Sequence, residues 1–82
     1  MMAEELLQRI DINPKVMLGK PVIRGTRITV EIILEQIVAG NSTEEILTEY
    51  PQLSREDVLA AVAYAREALS TDEIIPRIQF GR

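Results

Sequence analysis

Residues 22–40 decide the fold. They read Val22-Ile23-Arg24-Gly25-Thr26-Arg27-Ile28, then Thr29-Val30-Glu31-Ile32-Ile33-Leu34-Glu35-Gln36-Ile37-Val38-Ala39-Gly40. The first part is β-branched with a glycine at its middle. It reads as a short hairpin whose two-residue turn, Gly25-Thr26, suits a type II′ geometry. In that register Arg24 and Arg27 stand opposite each other, and like charges directly across a ladder repel. From Thr29 the period changes. Val30, Ile33, Leu34, Ile37 and Val38 recur at i, i+3, i+4, i+7 and i+8, which is one face of a helix. Thr29 serves as its N-cap, Ile28 and Ile33 as its hydrophobic staple, and Gly40 as its C′ stop.

Working outward, Ser42-Thr43-Glu44-Glu45 is a capping box that opens a short second helix. It buries Ile46 and Leu47 and ends at Tyr50-Pro51. Ser54-Arg55-Glu56-Asp57 opens a third helix with Leu53 and Val58 as staple and Val58, Ala61, Val62, Ala65 and Leu69 as its apolar stripe. Upstream, residues 3–28 are expected to be irregular or extended, with Ile10 and Ile12 alternating and breaks at Asn13-Pro14 and Gly19-Lys20-Pro21. The expected fold is mainly α: a trihelical helix-turn-helix core, homeodomain-like or winged-helix-like, with a short N-terminal β element. Residues 1–82 form one domain, with the β element at 9–28, the core at 29–69 and a C-terminal tail at 70–82. Any three-helix bundle satisfies the same periodicity.

Composition removes most chemistry. The 82 residues contain no cysteine and no histidine. Disulfides, thiolate nucleophiles, imidazole bases and Cys/His zinc sites are excluded. Of the serines, Ser42 and Ser54 are engaged as caps, and no base stands ready to activate Ser70. The pairs Glu31/Glu35 and Glu45/Glu49 each share a helix face and read as solvated surface rather than metal ligands. The chain is therefore expected to be no enzyme and to hold no metal or cofactor. Its longest apolar run, Val58 to Ala65, falls far short of the ~20 residues of a membrane span. The N-terminus carries no basic n-region or apolar h-region, which points to a cytoplasmic location. A chain this short buries only about 60% of its extended surface, so it is expected to lean on a partner or a second copy.

The net charge of −4 hides an asymmetry. Residues 9–27 carry Arg9, Lys15, Lys20, Arg24 and Arg27 against Asp11 alone, whereas residues 28–82 are strongly acidic. Two guanidiniums at a glycine turn, Arg24 and Arg27, with the Thr26 hydroxyl between them and Lys20 nearby, make a compact anion site. A DNA phosphate or a partner carboxylate between the arginines would relieve their repulsion. Arg55 is the candidate contact in the first turn of the third helix, although Glu56 and Asp57 beside it suit the helix dipole better than a phosphate backbone. In the tail, Ile74, Pro76, Ile78 and Phe80 alternate like a strand, which fits folding back on the core or strand addition to another protein.

The stretch Gly19-Lys20-Pro21-Val22-Ile23-Arg24-Gly25-Thr26-Arg27-Ile28, the helix closing at Ala39-Gly40, Glu44-Glu45-Ile46-Leu47, Tyr50-Pro51-Gln52-Leu53 and Asp57-Val58-Ala60-Ala61-Tyr64-Ala65 resemble one bacterial family. It is known as domain of unknown function 433, and the likeness spans about residues 9–69. The resemblance implies a helix-turn-helix-like core and a VapB-type antitoxin that neutralises a PIN-like ribonuclease toxin and binds its own promoter DNA. Lys20, Arg24, Thr26 and Arg27 match the family's signature. PIN-like nucleases hold metal with acidic residues, and an antitoxin can block one by sending an arginine into that cluster. Arg77 and Arg82 are the candidates here, with Ile74, Ile75, Ile78 and Phe80 as the apolar partner-binding residues. The function expected is an antitoxin-like homodimer. The alternative is a homo-oligomeric adaptor that touches no nucleic acid.

Overall fold

The computed structural model describes residues 3–70. In chain order these form helix α1 (Ala3–Leu7), strand β1 (Ile10–Asp11), strand β2 (Val22–Ile23), and helices α2 (Val30–Val38), α3 (Thr43–Glu49) and α4 (Arg55–Ser70). The described part is mainly helical, with four helices and one two-stranded sheet. The expected helices are present at α2, α3 and α4. The tail that follows Ser70 lies outside the described residues.

Local chemistry sets the helix ends. Thr29 caps α2, its Oγ1 accepting from Ile32 N at 3.0 Å. Ile28 and Ile33, the staple pair, are both buried. At the other end Gly40 takes φ +93°, a conformation that costs a residue with a Cβ. That turn lets Gly40 N donate to Ile37 O and Asn41 N to Gln36 O, the two bonds of a Schellman close. Ser42 and Glu45 complete a reciprocal capping box at α3. At α4 the Ser54 Oγ accepts from Asp57 N at 3.2 Å while the Asp57 carboxylate accepts from Ser54 N at 2.9 Å.

The core is one cluster. Ile23 of β2, Ile28, Val30 and Ile33 around α2, Ile46 of α3, Leu53, and Val58 and Ala61 of α4 are buried against each other. Ala60 and Ala61 are fully buried, and their small side chains let neighbouring elements approach α4 closely. That helix contacts α1, α2, α3 and β1, and so organises the whole described chain.

Three local expectations are corrected. First, residues 3–7 are helical, not extended; Ala3-Glu4-Glu5-Leu6-Leu7 are strong helix formers, and the segment packs on α4 with Leu6 and Leu7 half-buried. Second, β2 pairs antiparallel with β1, Ile10 opposite Ile23 and Asp11 opposite Val22. With the chain after the turn it keeps the expected register only as a bridge, Val22 opposite Thr29, with Ile23 N donating to Ile28 O and Val30 N to Pro21 O, both at 2.9 Å. The turn closes one residue early, with Thr26 N donating to Ile23 O, so Gly25 (φ +82°) sits in its third position and not its second. Third, the α4 stripe divides. Val58 and Ala61 are buried, but Val62 is 44% and Leu69 75% exposed. Residues 58–65 are apolar on every side, so their periodicity does not choose a face, and packing does.

One ion pair ties the N-terminal segment to α4. Arg9 Nη1 donates to Asp57 Oδ1 at 3.1 Å, and the carboxylate is nearly buried. Arg9 O in turn accepts from Arg24 N at 2.8 Å. A second pair joins α3 to α4, Arg55 Nη2 to Glu44 Oε2 at 2.9 Å, and both groups are exposed. The Arg55 hydrogen bond holds the Glu44 carboxyl below its ordinary value, helped by a backbone hydrogen bond and the Arg55 charge.

Three outcomes follow from the ion pairs of the fold. Asp57→Ala strands the Ser54 amide and Arg9 together and should lower stability by about 2 kcal/mol, read from the urea midpoint. Lys20→Ala, which removes only an exposed pair with Glu31 Oε1 at 3.2 Å, should cost less than about 0.5 kcal/mol. For Glu44 the folded value lies below the unfolded one, so its contribution is present above the ordinary carboxylate range and is lost as pH falls through the lowered folded value. Carbon-detected NMR titration should show the Glu44 transition moving up toward the ordinary value in Arg55→Gln. An unmoved transition would remove Arg55 as the cause.

Candidate functional site: the basic loop and the outer face of α4

The loop Arg24–Arg27 leaves β2 at the point where the sheet ends, beside β1. Two of its four residues are used to hold its own shape. Gly25 supplies the positive φ, with open space around its Cα. Thr26 Oγ1 donates to Ile23 O at 2.8 Å and accepts from Ile28 N at 2.9 Å. The threonine proton is therefore spent inside the turn, and only a remaining lone pair faces out.

The expected cations differ in what they have left. Arg24 Nε donates to Asp11 Oδ1 at 3.2 Å, so the neighbouring β1 carboxylate takes up the charge expected to repel Arg27. Lys20 Nζ sits 3.2 Å from Glu31 Oε1 of α2. Arg55 is held by Glu44. Arg27 is exposed and makes no ion pair among the described residues. It lines an open groove of about 350 Å³ with Asp11, Asn13 and Thr26 over a floor that includes Val16 and Val22. Lys20 lies away from this groove, so the structure divides the predicted cluster into Arg27 with its groove on one side and Lys20 with Glu31 on another.

The first turn of α4 is occupied by the fold. Arg55 pairs with Glu44, Glu56 is half-buried, and Asp57 is buried against Arg9 and Ser54. Farther along the same helix a different surface is exposed among the described residues. Leu59 (51% exposed), Val62, exposed Arg66 and Leu69 follow at spacings of three, four and three, which aligns them in one stripe. Leu59 carries no weight in a reading that places the helix by its buried stripe; the signal for it was the continuous apolar run, which offers more apolar surface than one buried face can use. The predicted partner-binding residues Ile74, Ile75, Arg77, Ile78, Phe80 and Arg82 lie outside the described residues.

Among the described residues no group of three or more acidic side chains converges as a metal site, and no helix is long and apolar enough to cross a membrane. Residues 10–65 match the family model described as protein of unknown function (DUF433). The chain is 38% identical over 53 residues to the uncharacterized protein y4eO of Sinorhizobium fredii (strain NBRC 101917 / NGR234). That match covers 65% of this chain and 24% of the relative, so the chain spans about a quarter of the length of the curated protein it matches. The crystal structure of a DUF433 member protein from Anabaena variabilis ATCC 29413 superposes with a TM-score of 0.72 at 34% identity, covering 83% of this chain and 67% of that one. From the start of β1 through most of α4, in sequence and in fold, this chain belongs to the DUF433 family.

Proposed function

We propose that this chain is a non-catalytic, antitoxin-like module that works by binding, neutralising a PIN-like ribonuclease through direct contact. The observation that carries the reading is the stripe Leu59–Val62–Leu69 on the outer face of α4. A small domain that leaves three large aliphatic side chains exposed along one helix has built a surface for another protein. Arg66 within the stripe adds a cation suited to an acidic partner, and the predicted tail residues follow α4 directly in sequence.

Promoter binding is the second half of the reading. In it α3, the short turn after Tyr50, and α4 act as a helix-turn-helix. Arg27 is the observation that favours it, an exposed guanidinium with no ion pair among the described residues. The first turn of α4 offers less, because its polar groups are engaged internally. DNA contact on this reading rests on the basic loop, with α4 lying behind it. The adaptor reading, in which no nucleic acid is bound, draws on the same internal neutralisation of Lys20, Arg24 and Arg55.

Co-expression of the full chain with any PIN-like ribonuclease encoded beside it should yield a stable complex and restore growth. Leu59→Asp combined with Val62→Asp should weaken that complex at least about a hundredfold while circular dichroism stays unchanged. An undiminished complex in the double variant would reject the α4 surface. In a gel-shift titration against the chain's own promoter, Arg27→Ala should weaken binding and flatten its salt dependence. Absence of any shift at low salt would select the adaptor reading.

A further inference from the structure

The groove beside the basic loop brings together two segments that are separate in sequence. Arg27 lines it from the outgoing arm of the loop, and Asn13 lines it from the turn that follows β1. Asn13 Oδ1 accepts from Lys15 N at 2.8 Å, which closes that turn and orients the carboxamide. Its Nδ2 keeps two N–H donors that have no partner among the described residues. The Arg27 guanidinium is likewise without an ion pair or hydrogen bond there. Both side chains offer donors and await an acceptor.

The rest of the lining limits which acceptor fits. Beneath the donors lie Val22, 2% exposed, and half-buried Val16, an aliphatic floor. Asp11 stands in the wall, and Arg24 offsets its charge from outside the lining. Lys15 does not line the groove either. One uncompensated positive charge remains, that of Arg27. A phosphate group, with close to two negative charges at pH 7, would meet this single cation with a carboxylate beside it. Its hydrated oxygens would gain nothing from the valines. A carboxylate matches the charge and accepts from planar N–H donors, and a hydrocarbon attached to it would cover the floor.

We propose that this groove binds a small aliphatic monocarboxylate, with its carboxylate between Arg27 and Asn13 and its hydrocarbon on Val16 and Val22. The volume of about 350 Å³ falls within the range of small-ligand sites. The site is not a pincer of Arg24 and Arg27, because Arg24 is spent on Asp11. Binding needs neither the ribonuclease nor DNA, so the inference goes beyond the antitoxin reading. An acid held at Arg27 would nonetheless compete for the guanidinium that promoter contact would use.

NMR titration of the isotope-labelled full chain with isovalerate tests it. The backbone amide signals of Gly25, Thr26 and Arg27 and the Asn13 side-chain amide should move along one saturable curve, with a dissociation constant of roughly 1 mM. Acetate, which has the charge without the hydrocarbon, should bind at least about tenfold more weakly. Inorganic phosphate should give no saturable shift. Arg27→Ala, and Asn13→Asp, which keeps the acceptor for Lys15 N but replaces the donors with a negative charge, should each weaken isovalerate at least about tenfold with circular dichroism unchanged. Absence of a saturable shift at these residues would overturn the proposal. Acetate or phosphate binding as well as isovalerate would overturn it too, as would undiminished binding by either variant.

Discussion

The carboxylate of Asp57 is the point on which the described fold depends. A nearly buried acid needs partners for its charge, and this one has two, one local and one from a distant part of the chain. The Ser54 amide satisfies one oxygen and closes the start of α4; the Arg9 guanidinium satisfies the other and fastens the N-terminal segment to that helix. Arg9 also offers its carbonyl to Arg24, so the same residue registers β1 against the chain leaving β2. Helix start, strand register and the position of the basic loop are thus joined through a single side chain. Such a pair adds little over a well-packed apolar contact, but breaking it on one side leaves an uncompensated charge.

This arrangement determines which charges the surface can offer. A sequence with five cations in residues 9–27 suggests a broad basic patch. In the folded chain Arg9, Lys20 and Arg24 each face an acid drawn from another element: Asp57 of α4, Glu31 of α2 and Asp11 of β1. The acids that give the chain its negative net charge are also what dismantle its positive patch. Arg27 escapes because the turn closes at Thr26, leaving it in the outgoing arm of the loop, where no acid pairs with it among the described residues. The surface left exposed on the outer face of α4 and the basic loop is more aliphatic than cationic, which within the proposed function favours protein contact over phosphate contact.

Elements whose causes are local were readable from residues alone. The caps at Thr29, Ser42 and Ser54, the staples Ile28–Ile33 and Leu53–Val58, and the Gly40 close each involve groups within a few positions of each other, and each is present. Likewise Gly25 marked a turn, although its place within the turn shifted once the Thr26 hydroxyl bonded across it. The readings that failed concern partners far along the chain. Strand β2 keeps a bridge to the chain after its turn, Val22 opposite Thr29, and takes a second neighbour at Ile10 and Asp11 that nothing near it in sequence signalled. Helix α1 was missed because its five residues gain their stability from α4 rather than from their own length. In the candidate site, Arg24, Arg27 and Thr26 were recognised as a group, but nothing near them in sequence told which of the three would remain free.

By itself, the sequence determined that this chain has no cysteine or histidine side chain to work with, the location of its three principal helices and the charged turn that precedes them. Composition and short-range spacing suffice for those properties, since each depends on residue type or on neighbours within a helical turn. Tertiary structure decided which face of α4 is buried, where β2 finds its partner and which cations keep their charge available. Those outcomes turn on contacts across tens of residues, where the small side chains of Ala60 and Ala61 admit neighbouring elements and a single carboxylate at Asp57 selects Arg9. An apolar run with no intrinsic face takes its orientation from whatever packs against it.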